Sequence, residues 1–415
     1  MDDLPGIDGA PIPFLGRDRV KRTLARTTSF DAGRGCPYQC SFCTIINVQG
    51  RKSRRRTPDD IEKIIRTNLA HGHSRFFITD DNFARNKDWE AILDRLIHLR
   101  EVEKMDFSFI IQVDTLCHKL PNFIGKCARA GVKRVYIGLE NINPENLLAA
   151  KKKQNKITEY RKMLLAWQRI GILVYAGYIT GFPADTASSI LNDIDVLMRE
   201  LPIDVLEIFY LTPLPGSEDH QKLFKAGVWM DPDLNKYDLH HLTANHPRMS
   251  RQEWIYAYEE AWKRYYSWDH CRTIMRRVGA LRKGFGANII AMTWFKACIE
   301  LEGLHPVEGG FIRLKARTDR RPSFPREPVW SFYPKFCTEL VVKTARWLWI
   351  YGRMRALYRS VKNDPKRLEY SDLAISPVND DETETHEMFH TKAARAYVET
   401  ERRIEKAISH GAAAS

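Results

Sequence analysis

The chain has 415 residues, with 65 Lys and Arg against 52 Asp and Glu for a formal charge of +13, and 44% hydrophobic against 28% charged residues. This is the profile of a globular chain rather than a disordered one, and at roughly 150 residues per domain the length allows two or three domains. No apolar run approaches the ~18 residues of a membrane span, no basic-then-apolar leader opens the chain, and the 8 cysteines are too few for a disulfide scaffold, so a cytoplasmic protein is expected in which close cysteine spacing means metal or redox chemistry.

Residues 1–25 are Pro/Gly-rich and then basic, and read as an N-terminal arm. From 26 to 240, short β-rich runs alternate with helical patterns. Strands are expected near Thr27–Ala32 and at Arg75–Thr79, Phe107–Val113, Arg134–Leu139, Leu173–Ile179 and Val205–Leu211. Thr57-Pro58-Asp59-Asp60 is a helix start: a hydroxyl at the N-cap, Pro at the first helical position, and acids at the positive end of the helix dipole. Thr186 is a second candidate cap. Six strands alternating with helices predict an α/β fold, a parallel sheet wound by right-handed crossovers. From 241 to 362 the pattern is helical. Ser250 can cap a helix that carries Trp254, Tyr258, Ala261, Trp262 and Tyr265 at helical spacing. Further helices are expected at Ala287–Leu301 and Phe336–Val361, with a Pro- and Arg-rich loop at Thr318–Pro328 between them. Residues 363–415 read as a polar, partly mobile tail with an acidic stretch at Asn379–Glu382.

Cys36, Cys40 and Cys43 form a Cys-x3-Cys-x2-Cys loop directly after the first expected strand. Zinc would need a fourth soft ligand, and Cys117, His71 and His73 all lie beyond a predicted helix. An iron–sulfur cubane held by three thiolates needs none, because its fourth iron stays open. A zinc loop completed by a distant residue is the alternative. The remaining five cysteines are scattered singly and read as small buried side chains.

This loop, with Phe42 just before its last cysteine, resembles the signature of the radical S-adenosylmethionine (SAM) superfamily. The resemblance implies a partial (β/α)6 TIM-like barrel followed by a mainly helical C-terminal region. It implies that Cys36, Cys40 and Cys43 ligate three irons of a [4Fe–4S] cluster, that SAM chelates the fourth, and that Phe42 lies against the adenine. One electron from the cluster would split SAM into methionine and a 5′-deoxyadenosyl radical that abstracts hydrogen. Further segments match in chain order. Asp80-Asp81-Asn82-Phe83 is similar to a segment near the SAM amino group, used mainly through its backbone. Gly138-Leu139-Glu140 is similar to a strand end whose carboxylate contacts SAM, and it falls at the carboxyl mouth where ligands bind in such sheets. Gly181-Phe182-Pro183-Ala184-Asp185-Thr186 and Pro213-Leu214-Pro215-Gly216-Ser217 resemble two turns lining the cofactor pocket. Gln112 and Asp114 end the third strand at the same mouth and are candidates to touch SAM or substrate.

The motif set resembles the cobalamin-associated branch, many of whose members are methyltransferases or ring-forming enzymes. Only 35 residues precede Cys36, too few for the cobalamin domain such proteins usually carry, so cobalamin would come on another chain, be dispensed with, or bind a longer parent. The expected partners are a small or lipid-like substrate and an external flavodoxin- or ferredoxin-like electron donor; nucleic acid is not expected. Two basic stretches stand out. Between Asp31 and Asp59, and again from 340 to 362, there are six basic residues and no acid. The second interleaves with Trp347, Trp349, Tyr351 and Tyr358, a pattern suited to peripheral contact with an anionic membrane or to a surface helix packing its aromatics inward. The alternative to an enzyme is a basic RNA- or membrane-docking protein on a degenerate radical SAM fold.

Overall fold

The β-rich runs become six parallel strands: β1 (Thr27–Phe30), β4 (Arg75–Ile78), β5 (Ser108–Val113), β6 (Val132–Glu140), β7 (Leu173–Thr180) and β8 (Val205–Tyr210). They pair in the order β1-β4-β5-β6-β7-β8, each beside its successor, as right-handed βαβ units require. A short antiparallel pair, β2 (Gly33–Arg34) and β3 (Arg54–Arg55), brackets the cysteine loop. The computed structural model describes residues 27–282, 284–309, 315–318, 323–379 and 382–412. The arm expected at 1–25, and Asp380 and Asp381 of the acidic stretch, lie outside them.

Helices cover the outer face of the sheet because their apolar residues recur at helical spacing. In the helix Pro58–Ala70, Ile61, Ile64 and Ile65 are fully buried, each worth about 2 kcal/mol of transfer free energy. Thr57 caps that helix by accepting from the Asp60 amide, and Thr186 forms a capping box with Ser189 at the start of Ala187–Glu200. Ser250 and Glu253 cap each other in the same manner ahead of Arg251–Tyr265. Within β6, the buried Val135, Ile137 and Leu139 alternate with Tyr136, Gly138 and Glu140, so the latter three share the inner face. Register places Gln112, Tyr136 and Tyr175 in one row on that face, and Gly138, Gly177 and Glu207 in the next.

The chain divides into two compact units, Met1–Tyr265 with Ser371–Ser415, and Tyr266–Tyr370. The divisions thus fall at 265 and 370 rather than at the expected 240 and 362. The first helix of the expected C-terminal region packs on the sheet, with Trp254 donating to the Thr180 hydroxyl at 3.1 Å and Tyr265 to the Ile203 carbonyl at 3.0 Å. Residues 371–412 also differ from the expected mobile tail. Arg161, 3% exposed, pairs with Glu382 and donates to the carbonyls of Ser376 at 2.6 Å and Pro377 at 3.0 Å. Glu200 accepts from the Glu387 and Met388 amides at 2.7 and 3.0 Å, and Met388, Phe389 and Ala394 are buried.

The second unit is helical: Trp268–Leu281, Gly286–Ala297 and the 34-residue Val329–Lys362. Its core joins Ala297, Cys298, Trp347 and Ile350, with Trp268, Trp294 and Leu301 against them. The long helix begins seven residues before the expected start at Phe336. Pro334 removes a single hydrogen bond near its first turn and does not stop it. Among the described residues, no helix is long and apolar enough to cross a membrane.

Candidate active site

The cysteine loop leaves β2 at the carboxyl ends of the parallel strands. Its shape is set by a glycine: Gly35 has φ +97°, and a Cβ there would meet the Lys52 carbonyl oxygen at 2.4 Å. Two carboxylates brace the loop from the β4 side. Asp80 accepts from the Ala32 and Gly33 amides, both at 2.6 Å, and from Asn86 at 2.9 Å. Burial pushes its carboxyl up to about 7, against the pull of these donors. Asp81 accepts from the Gly35 amide at 2.7 Å. Both expected SAM-side acids therefore direct their side chains into the cysteine loop.

The opposite side of the loop rests on residues 150–155. The Ser41 amide donates to the Ala150 carbonyl at 3.0 Å, and the Gln154 amide group donates to Cys40 Sγ at 3.4 Å. Lys152 pairs with Glu140 and lies over the Phe42 ring at 5.7 Å. Glu140 itself sits in the left-handed region with φ 63°, at a register shift between Gly138 and Glu140. Backbone strain of this kind persists only where surroundings over-determine it. Phe42 also meets Phe182 edge-on at 6.3 Å.

Burial raises the Cys36 thiol to about 11 and raises Cys43 as well, and the neighbouring cysteines push in the same direction. Three thiols that each disfavour the others' thiolate need a polycationic centre to become anions together. Among the described residues, no three His, Cys, Asp or Glu side chains converge on one ion. A single zinc would require its sulfurs within about 2.3 Å of one point. Three thiols on one loop, with no fourth protein ligand among the described residues, suit a cluster in which each binds its own iron. The residues present fit the cluster.

Gln112 lies on the inner face and its side chain hydrogen-bonds no described residue, so its amide group is available to a ligand. Asp114, by contrast, is committed to the protein. It accepts from Arg85 Nη2 at 2.8 Å, Asn82 at 2.9 Å and the Leu116 amide at 2.8 Å, and arginine holds its carboxyl low despite the burial. Three contributors escaped the sequence reading. Lys152 stands in a run of three lysines, which in sequence is indistinguishable from a solvated face. Gln154 carries no motif. Glu207 sits mid-strand on the inner face and is 7% exposed, and its carboxyl has no ion pair or hydrogen bond with a described residue; burial raises it to about 7. Tyr136 Oη lies over Gly177, where a Cβ would meet it at 2.3 Å.

Beside the loop is a cavity of about 240 Å³, lined among others by Ser41, Ala150, Phe182, Leu211, His246 and Trp254. The two expected turns form its walls. Asp185 accepts from the Gly181 and Phe182 amides at 2.8 and 2.9 Å, fixing the first. The second is tied to the cysteine loop, because Asn47 donates to the Gly216 carbonyl and the Asp219 amide to the Ser41 carbonyl at 3.0 Å. His246 is a neutral strut: Nε2 donates to the Phe182 carbonyl at 2.9 Å, and Nδ1 accepts from the Arg248 and Met249 amides at 3.1 Å.

The family model described as the radical SAM superfamily matches residues 31–197. The bacteriochlorophyllide d C-8(2)-methyltransferase of Chlorobaculum tepidum is 26% identical over 249 residues, 57% of this chain and 53% of that protein. The hopanoid C-2 methylase of Rhodopseudomonas palustris is 30% identical over 227 residues, 54% of this chain and 42% of that protein. A solved structure of the radical SAM methyltransferase TsrM from Kitasatospora setae, with cobalamin and a [4Fe–4S] cluster bound, aligns at 14% identity and a TM-score of 0.47, covering 80% of this chain and 61% of that one. The chain spans about half the length of the curated relatives it matches. The superfamily uses a [4Fe–4S] cluster and SAM, and homologues in its B12 branch bind cobalamin. Through residues 31–197 the chain carries a radical SAM superfamily domain, with homologues in the cobalamin-dependent methyltransferase branch.

Proposed function

We propose that the chain is a radical SAM enzyme of methyltransferase or oxidoreductase type, acting on a small or amphiphilic substrate and fed by an external one-electron donor. The observation that carries this reading is the cysteine loop itself: three thiols at the carboxyl mouth of a parallel sheet, clamped by Asp80 and Asp81 on one side and by residues 150–155 on the other. When bound, the cluster supplies the electron that cleaves SAM, and cleavage supplies the radical that takes hydrogen from the substrate. In this reading Cys36, Cys40 and Cys43 hold three irons. Phe42, with Lys152 above it, offers a flat face to the adenine. Glu140 receives a positive or hydroxyl group of SAM at the mouth, with Lys152 fixing its orientation. The rows of Gln112 and Tyr136, and of Glu207, lie deeper on the inner face and meet the substrate. The apolar walls of the neighbouring cavity keep water from the reacting atoms.

Anaerobic reconstitution with iron and sulfide is expected to give [4Fe–4S] absorbance and an EPR signal that SAM alters. Dithionite-driven 5′-deoxyadenosine should form, and should vanish in Cys36→Ala, Cys40→Ala and Cys43→Ala. A stable one-to-one zinc site that takes up no iron would overturn the reading. Added methylcobalamin separates the two reaction types, since only a methyltransferase should then yield a methylated product.

A further inference from the structure

The long helix Val329–Lys362 buries only one face. Phe332, Trp347, Ile350, Met354 and Val361 recur at helical spacing and pack into the second unit. The opposite stripe, at positions 330, 334, 337, 341, 345, 348 and 352, is exposed. It is apolar: Trp330 is 79% exposed, Val341 68% and Leu348 59%, with Trp349 beside them at 57%. Surface residues scattered singly need no explanation, whereas a continuous apolar stripe of this length on one helix marks an interaction site.

The same stripe changes character toward its C-terminal end, where Arg355 and Arg359 continue it and Lys362 adjoins them. Arg346 lies on its border. None of these four cations forms an ion pair with a described residue, and no acid occurs between 340 and 362. Lys343, on the buried side, is different: Glu302 and Glu339 neutralise it at 2.7 Å each. The unpaired charge is therefore confined to the exposed side. Arg353 lies over the Trp268 ring at 4.2 Å and Trp349 at 5.4 Å, so an arginine plane supports one of the exposed indoles.

We infer that this face is a docking surface for an anionic lipid bilayer, with the helix lying in the interfacial plane. The occupant follows from what the stripe combines. Trp, Val and Leu side chains gain by entering the acyl boundary, indoles favour the headgroup level, and unpaired Arg and Lys are drawn to anionic headgroups. A polyphosphate chain would match the cations but leave the apolar two-thirds of the stripe in water. A second copy of this helix fits worse. Paired antiparallel, it would bury Arg355 and Arg359 against apolar residues, and paired parallel it would set like charges face to face. At 34 residues the helix is about 51 Å long, enough to lay several headgroups' breadth of contact without spanning the membrane. The inference does not depend on the reaction proposed above, since its readout is membrane binding.

The full chain should co-sediment with vesicles of 30% phosphatidylglycerol in phosphatidylcholine at least tenfold more strongly than with pure phosphatidylcholine, and salt should weaken the binding. Val341→Glu with Leu348→Glu should reduce anionic-vesicle binding at least tenfold without lowering the melting temperature, because both side chains are exposed. Arg355→Glu with Arg359→Glu should reduce it equally and abolish the salt dependence. Wild-type protein that does not distinguish the two vesicle types overturns the inference, as does wild-type binding by either double variant. A dimer dissolved by the Val341/Leu348 variant would assign the face to a second copy. An RNA oligomer that displaces vesicles and binds that variant undiminished would assign it to nucleic acid.

Discussion

The carboxyl of Glu207 is buried on the inner face of the sheet and forms no ion pair or hydrogen bond with a described residue, an arrangement that stability alone does not favour. Glu207 is held at about 7 by burial alone, so the folded state keeps its proton more tightly than the unfolded chain does. It therefore costs nothing below about pH 4.5 and destabilises progressively as pH rises through 7, by about 3 kcal/mol at most. Glu207→Gln should raise the urea midpoint at pH 8 and leave it nearly unchanged at pH 5. An equal change at both pH values would show that Glu207 is already matched to a protein group. On the same face, Glu140 illustrates a limit of reading residues one at a time. The strand end that carries it was legible because Gly138-Leu139-Glu140 closes an apolar run in chain order with the other segments of the resemblance. Its partner Lys152 was not, because burial is a property of the folded surroundings and a lysine among lysines gives no sign of it.

Elements were read more securely than their partners. The six strands begin and end within two residues of where β-rich runs placed them, and Thr57, Thr186 and Ser250 cap the helices expected of them, because both signals are local. The brace of the cysteine loop is a tertiary matter. Asp80 lies 47 residues from Gly33, and sequence suggested only that it stood near a ligand. Asp80→Ala would leave the Ala32 and Gly33 amides buried without acceptors, at about 1–3 kcal/mol each. The expected result is a melting temperature several degrees lower and a markedly smaller iron content after reconstitution, with far-ultraviolet circular dichroism unchanged. Full iron loading in this variant would mean that the loop holds its shape without the clamp. Asp114 shows the converse: a strand-end acid at the right mouth, legible as a candidate, is claimed by Arg85 and Asn82.

For the whole molecule, sequence gave the barrel and the change to helix but misplaced the seams, since helical periodicity says which face is apolar and not which neighbour covers it. Arg251–Tyr265 reads as the opening of a new region yet covers the sheet, and the polar composition of 371–412 hides a packed segment fixed through Arg161. Arg161→Ala would leave Glu382 buried and unpaired and free three or more carbonyls, a loss of about 3–5 kcal/mol. Limited trypsin digestion should then cut rapidly between 366 and 403 while the wild type resists. Equal resistance of the two proteins would show that the segment is held elsewhere, for instance through Glu200.

The discontinuity of the first unit also has a consequence in time. Arg161 and Glu382 are 221 residues apart. At ribosomal speeds of roughly 5–20 residues per second, about 10–45 s separate the synthesis of the two. Once β8 is made, the cysteine loop and all six strands of its sheet exist while the segment that covers Arg161 does not, and the whole of 266–370 is still to be made between them. A nascent chain thus carries its three thiols through the synthesis of the whole second unit before the unit that bears them can close.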